Sequence, residues 1–223
     1  MARAEIRAGV ARLARRLRSH WRTKLWLGAA LAALFCAGFF AVERHPLRPV
    51  TTLSPTWLDR AVPFSPHWVW VYQSIYLLLP LGWLCETADQ IRRYARGFLL
   101  LAAVGFACFL CWPIAGPRPP QLPADPMYRL LVSYDSSANC FPSLHMALAA
   151  YAAATAVAVT TGPSRRLFSI VLPAWVALIA YSTLATKQHY WIDLPPGILL
   201  GWLAQRLAFT HAAGAVPAAQ PPP

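Results

Sequence analysis

Carboxylates are scarce in this chain. Asp and Glu total 8 of 223 residues, and none of them cluster on one helix face outside the membrane. That shortage excludes a magnesium centre built from paired carboxylates. Histidine is sparse too, at six, and no H-E-x-x-H or similar spacing gathers a zinc site. No metal and no cofactor is therefore expected. Charged residues of both signs make up 13%, against roughly 25% in a soluble globular domain. An ordinary soluble fold is thereby excluded. The five cysteines supply no disulfide framework. Cys36, Cys85, Cys108 and Cys111 fall in or at the ends of apolar runs, and Cys140 has no partner outside them. Cys108 and Cys111 have C-x-x-C spacing without a second pair, so they read as packing residues.

What is abundant is apolar: 57% hydrophobic residues and ten Trp, with a mean hydropathy of +0.42. Six apolar runs, at 25–42, 66–85, 97–114, 143–160, 167–184 and 192–209, are each about long enough to cross the ~30 Å hydrocarbon layer. They are continuous rather than alternating, which predicts helices and not a barrel. The expected fold is all-α, a polytopic membrane protein with a six-transmembrane-helix bundle. Neighbouring helices tolerate the kinks at Pro80, Pro113 and Pro173. The first run lies too deep for an ordinary signal peptide and reads as a retained span. Residues 1–24 form a basic N-terminal segment, 25–210 the membrane domain, and the Ala/Pro-rich 211–223 a disordered tail.

The net charge of +12 has a position as well as a size, because eight basic residues precede position 25. A basic segment before an apolar span orients the protein and contacts anionic lipid, so nucleic acid is not an expected partner. With the N-terminus inside, fourteen Lys and Arg fall in inner segments. Six fall outside: Arg44, Arg48, Arg60, Arg118, Arg129 and Lys187. Both termini are then cytoplasmic, and Arg118, Ser143, His145, Lys187, His189 and Asp193 gather at the outer face. A compact chain with an Arg-rich start suits a bacterial inner membrane. Oligomeric state leaves no signal.

Those residues carry the chemistry, because ionisable groups at a membrane are costly and usually functional. His189 and Asp193 are four apart and share a face if the last helix begins near 187. An aspartate accepting the Nδ1 proton leaves Nε2 free to attack phosphorus. His145, in Pro142-Ser143-Leu144-His145, is placed to protonate a leaving oxygen. Ser143 is a helix cap whose first-turn N–H groups face an anion. Arg118 and Lys187 supply positive charge to a transferring phosphoryl group. Both histidines should face one anion-sized gap with these cations on its rim. Within 115–142, Asp125-Pro126 followed by Met127, Leu130, Leu131 and Tyr134 reads either as a short interfacial helix or as an irregular loop.

The pattern resembles the type 2 phosphatidic acid phosphatase superfamily, whose motifs are K-x6-R-P, P-S-G-H and S-R-x5-H-x3-D. The first appears here as Arg118-Pro119, with Cys111 in the lysine position. The second has Leu144 for glycine. The third has Ser182, Thr183 for arginine, then His189 and Asp193 at the family spacing, with Lys187 as a stand-in cation. The resemblance covers about 95–210. It implies metal-independent hydrolysis of a lipid phosphate or pyrophosphate through a phosphohistidine, with His189, His145 and Asp193 catalytic. It also implies that Arg118, Ser143, Leu144 and Lys187 hold the phosphate. Leu144 and the Thr186-Lys187-Gln188-His189-Tyr190 run are similar to the branch of inositol phosphorylceramide synthases, which implies headgroup transfer to an alcohol as the alternative. A non-catalytic transporter or scaffold is a further reading, as is an inactive or substrate-narrowed member. A vanadate-dependent haloperoxidase ranks low, since those are generally soluble.

Overall fold

In the computed structural model, which describes residues 2–135 and 138–210, the chain is built from helices. The expected disordered tail, 211–223, lies outside the described residues. The basic start is helix α1 (Ala2–Arg18), followed by α2 (Trp21–Arg44). α6 (Ala88–Cys111) and α9 (Gly162–Ala185) are, like α2, 24 residues long, about 36 Å each. These three are long and apolar enough to cross a membrane. Only 6% of the apolar window of α2 is buried inside the protein. Trp26 and Leu34 on α2, and Ile170 and Leu178 on α9, face outward. A soluble protein rarely exposes apolar surface on that scale, whereas lipid-facing helices must.

Two of the expected spans are helical but shorter: α8 (Leu144–Val159) and α10 (Leu194–Thr210). The run over 66–85 is not one helix. It breaks into a 3₁₀ turn at Pro66–Trp68, α4 (Val69–Gln73), α5 (Ile75–Leu78) and a second 3₁₀ turn at Leu79–Leu84. Local chemistry accounts for the breaks. The Ser74 hydroxyl donates to the Val71 carbonyl at 2.6 Å, competing with the helix ladder. Pro80 has no N–H to give. Helical class and membrane-type helices thus hold, and among the described residues three helices meet the length and hydropathy needed to span.

α8 is the central helix. Its Ala147, Ala149, Ala152 and Ala156 are fully buried, and neighbours approach closely over them. Gly197 and Gly201 of α10 lie against the carbonyls of Ser143 and Ala147, with no room for a Cβ. Gly105 of α6 receives the Leu144 side chain, and Gly97 the Tyr151 ring. This small-residue packing is how apolar helices associate where burial from water cannot drive them together.

The first two helices are tied to the end of the broken run. Arg15 pairs with Glu86 at 2.9 Å, and the buried Lys24 ammonium donates to the Trp83 carbonyl at 2.7 Å. At the opposite end, β1 (Thr51–Thr52) pairs in parallel with β2 (Ile114–Ala115). The Cys140 N–H on the Ile114 carbonyl, and the Trp191 N–H on Asp59 of α3 (Trp57–Ala61), tie these loops to the segments that precede α8 and α10. Residues 126–134 form a helix, α7 (Pro126–Tyr134), and Asp125 caps it by accepting from the Tyr128 N–H at 2.9 Å. Of the two sequence readings of this stretch, the short helix is the one that forms.

Candidate functional site

Three chain segments meet at the first turn of α8. Ser143 caps that helix, its Oγ accepting from the Met146 N–H at 3.2 Å. The Ser143 N–H donates to the Asp193 carbonyl at 3.1 Å, locking the α8 start to the turn before α10. That turn begins where α9 ends. Lys187 takes a left-handed φ of 54°, and the chain reverses through Gln188 and His189 into a 3₁₀ turn, Trp191–Asp193. Pro195 and Pro196 then sit in the first turn of α10, where no intrahelical donor is needed. The third segment is 138–142. The Cys140 N–H donates to the Ile114 carbonyl at 3.1 Å.

His189 is buried, with both ring nitrogens engaged. Nδ1 is 3.1 Å from the Cys140 carbonyl oxygen, and Nε2 is 3.1 Å from Ser143 Oγ. A carbonyl only accepts, so Nδ1 carries the proton and Nε2 the lone pair, which receives the Ser143 hydroxyl hydrogen. The expected shared helix face does not form, because α10 starts only at Leu194. Asp193 approaches His189 through the 3₁₀ turn, and its Oδ2 lies 3.6 Å from Nδ1. That oxygen accepts instead from the Tyr190 N–H at 2.8 Å and from the Cys140 thiol at 2.9 Å. The main-chain carbonyl, not Asp193, therefore sets the tautomer, and the carboxylate acts on the ring as a nearby charge. Asp193 Oδ1 is buried with no hydrogen-bond partner among the described residues.

His145 projects from α8 onto the broken run. Its Nε2 is 2.9 Å from the Tyr72 carbonyl, and its ring stacks on the Tyr72 ring with centroids 3.9 Å apart. Nε2 is then the protonated nitrogen of the neutral ring, which leaves Nδ1 for acid–base work. His145 and His189 both line one cavity of about 500 Å³. The rest of its wall is mainly apolar and aromatic. From α2 it takes Lys24, Leu27, Leu31, Phe35, Phe39 and residues between them, ending at Phe40. These recur at helical spacing along one stripe, from position 24 to 40, about 24 Å of helix.

The predicted cations are placed differently from one another. Arg118 Nη2 reaches Gln188 Oε1 at 3.3 Å and Asp135 Oδ2 at 3.4 Å. Its Nε is buried without a hydrogen-bond partner among the described residues. Gly116 lets this loop lie on the Gln188 carbonyl, at a separation that excludes a side chain. The Lys187 ammonium turns away. It donates to the Asp59 and Val62 carbonyls, each at 2.6 Å, and burial lowers its pKa while Asp59 opposes the shift. Neither cation is among the described residues lining the cavity, so the expected rim of Arg118 and Lys187 is not what the fold builds. Leu144 lines the cavity and buries its side chain at Gly105, leaving its backbone N–H in the first turn of α8.

The structure thus joins Ser143, His189 and Asp193 directly, sets His145 on the same cavity, links Arg118 through Gln188, and leaves Lys187 outside. Sequence reasoning missed Cys140, whose thiol contacts both His189 and Asp193 and is held well above its ordinary pKa by burial and by Asp193. Its position three residues before Ser143 was the available signal. It also missed Tyr72, which nothing in the local sequence marks, and Asp59. The Asp59 Oδ1 accepts from the Trp191 N–H at 2.8 Å. Burial works against the charged form of Asp59, but hydrogen bonds from Thr56 and Trp191 outweigh it and lower the pKa.

The family model described as PAP2 superfamily matches residues 94–214, more than half of the chain. Neither the curated proteins nor the solved structures give a match.

Proposed function

The chain belongs to the PAP2 superfamily, and on that premise we propose that it is a membrane lipid phosphatase working through a phosphohistidine. One observation carries this reading. Two histidines 44 positions apart line one cavity whose remaining wall is mainly apolar and includes a long stripe of α2. A phosphate headgroup fits the histidine end, and the lipid chain follows α2. The positive-inside bias supports an outer-face site.

The chemistry follows from the hydrogen bonds. His189 Nε2 attacks phosphorus as the Ser143 hydroxyl turns from Nε2 to a phosphoryl oxygen. The first-turn N–H groups of α8, including that of Leu144, face the developing negative charge. Arg118 adds positive charge through the Gln188 side. His145 Nδ1, open in the resting neutral ring, takes the acidic proton of the bound lipid phosphate monoanion and passes it to the leaving oxygen, while its Nε2–H stays on the Tyr72 carbonyl. Water then enters, loses a proton to His145 Nδ1, and attacks the phosphohistidine, releasing phosphate and restoring His189. Asp193 steadies the cationic ring of the intermediate. No step draws on a metal.

A second reading has its own observation. Lys187 is spent on backbone carbonyls, so Arg118 is the predicted cation left near the turn. A phosphodiester carries one negative charge fewer than a monoester dianion and needs less cationic support. That favours headgroup transfer, with a lipid hydroxyl replacing water in the second half-reaction. The purified protein, given a panel of lipid phosphates with and without a polyol acceptor, separates the readings. Inorganic phosphate release supports the phosphatase, and a new phosphodiester supports the transferase. Neither product leaves a non-catalytic membrane role.

A further inference from the structure

We propose that Cys140, His189 and Asp193 form a site for a thiophilic divalent cation, zinc(II) foremost, and that the bound metal silences His189 from behind. The three ligand atoms already form a compact triangle. Cys140 Sγ is 3.4 Å from His189 Nδ1 and 2.9 Å from Asp193 Oδ2, and Nδ1 is 3.6 Å from Oδ2. A tetrahedral zinc with ordinary Zn–S, Zn–N and Zn–O bonds separates its ligands by about 3.3 to 3.6 Å. Two edges match that size. The third is a thiol–carboxylate hydrogen bond, and it opens by about half an ångström when the metal replaces the proton.

Two further observations point the same way. All three residues are buried, so a net charge there is costly. Zinc(II) with one thiolate, one carboxylate and a neutral imidazole sums to zero. Asp193 Oδ1, fully buried and without a hydrogen-bond partner among the described residues, is a carboxylate oxygen waiting for a positive group.

The consequence for His189 is a matter of protons. Zinc takes the Nδ1 lone pair and displaces the Nδ1–H bond to the Cys140 carbonyl; the single ring proton of the neutral imidazole moves to Nε2 and donates to Ser143 Oγ, whose own hydrogen turns away from Nε2. Nε2 then has no lone pair for phosphorus. The Cys140 thiol proton leaves to solvent, and nothing is oxidised or reduced. Zinc binding itself does not depend on the proposed reaction; only its inhibitory effect does.

The test is a cobalt(II) titration of the full chain in detergent, with cobalt as the visible surrogate for zinc. One equivalent per chain should produce a thiolate-to-cobalt charge-transfer band, and zinc should abolish it. Cys140→Ser should lose the band, and Asp193→Asn should weaken cobalt binding at least tenfold. A variant keeping Cys140 as its sole cysteine should retain the band, which decides the ligand even if Cys140→Ser fails to fold. No band in the wild-type protein, or a band that depends on another cysteine, overturns the site. Zinc should also stop phosphate release reversibly, with EDTA restoring it. Zinc that binds but raises turnover overturns the silencing and leaves the site, and a protein inactive on every lipid phosphate still has its metal site decided by the titration.

Discussion

Replacing Asp193 by Asn separates two roles that an aspartate beside a catalytic histidine usually combines. Here the Cys140 carbonyl, 3.1 Å from Nδ1, holds the tautomer. Asn at 193 can still accept the Tyr190 N–H through its carbonyl oxygen, while its amide fills the place of the unpartnered Oδ1. What is lost is one negative charge 3.6 Å from the ring that becomes cationic in the intermediate. Unit charges at that distance interact by about 4.6 kcal/mol at an effective dielectric constant of about 20. The imidazolium charge is shared between two nitrogens, so about 2–3 kcal/mol of this bears on the transition state. Turnover should therefore fall about 30- to 150-fold, with KM little changed. The assay is phosphate release from a saturating lipid phosphate, with thermal unfolding as the control for fold. A loss below threefold in a folded variant would mean that the carboxylate does not act on His189. A loss near 10⁴-fold, the size seen when a triad histidine is left in the wrong tautomer, would mean that Asp193 rather than the carbonyl sets the tautomer.

Four other substitutions probe separate parts of the site. His189→Ala should abolish turnover in a folded protein, and retained phosphate release would remove it as nucleophile. His145→Gln should cost about 10²–10⁴-fold on an alkyl phosphate and far less on an activated aryl phosphate, because only the former needs a general acid; equal losses on both would refute that role. Gly28→Trp, on the cavity wall where a side chain has room, should raise KM for long-chain lipid phosphates and leave a short-chain analogue unaffected. Lys187→Met removes two hydrogen bonds to the α3 segment, at about 1.5–3 kcal/mol each when the donor is charged. It should lower the unfolding temperature while sparing KM, and the reverse pattern would return Lys187 to the phosphate.

What could be read without coordinates was local. Apolar runs at 97–114 and 167–184 announced α6 and α9, and Asp125-Pro126 announced α7. The Ser143 cap, His145 and the H-x-x-x-D spacing of His189 and Asp193 are short-range patterns, and each has its place at the start of α8 or in the turn before α10. The broken run at 66–85 was misread because Ser74, Pro80 and Gly82 are scattered breakers within an apolar stretch. Hydropathy counts such a stretch as continuous, whereas the hydrogen-bond ladder does not.

Residue order alone determined that this is a helical chain with membrane-length apolar segments and two histidine motifs, because periodicity, capping and spacing are properties of neighbours. Folding decided what those motifs touch. The Lys187 ammonium goes to carbonyls 125 and 128 positions away. The proton on His189 answers to a carbonyl 49 positions away, and Tyr72 meets His145 across 73. A side chain's hydrogen-bond partner is chosen by distance in space, and separation along the chain carries almost no information about it.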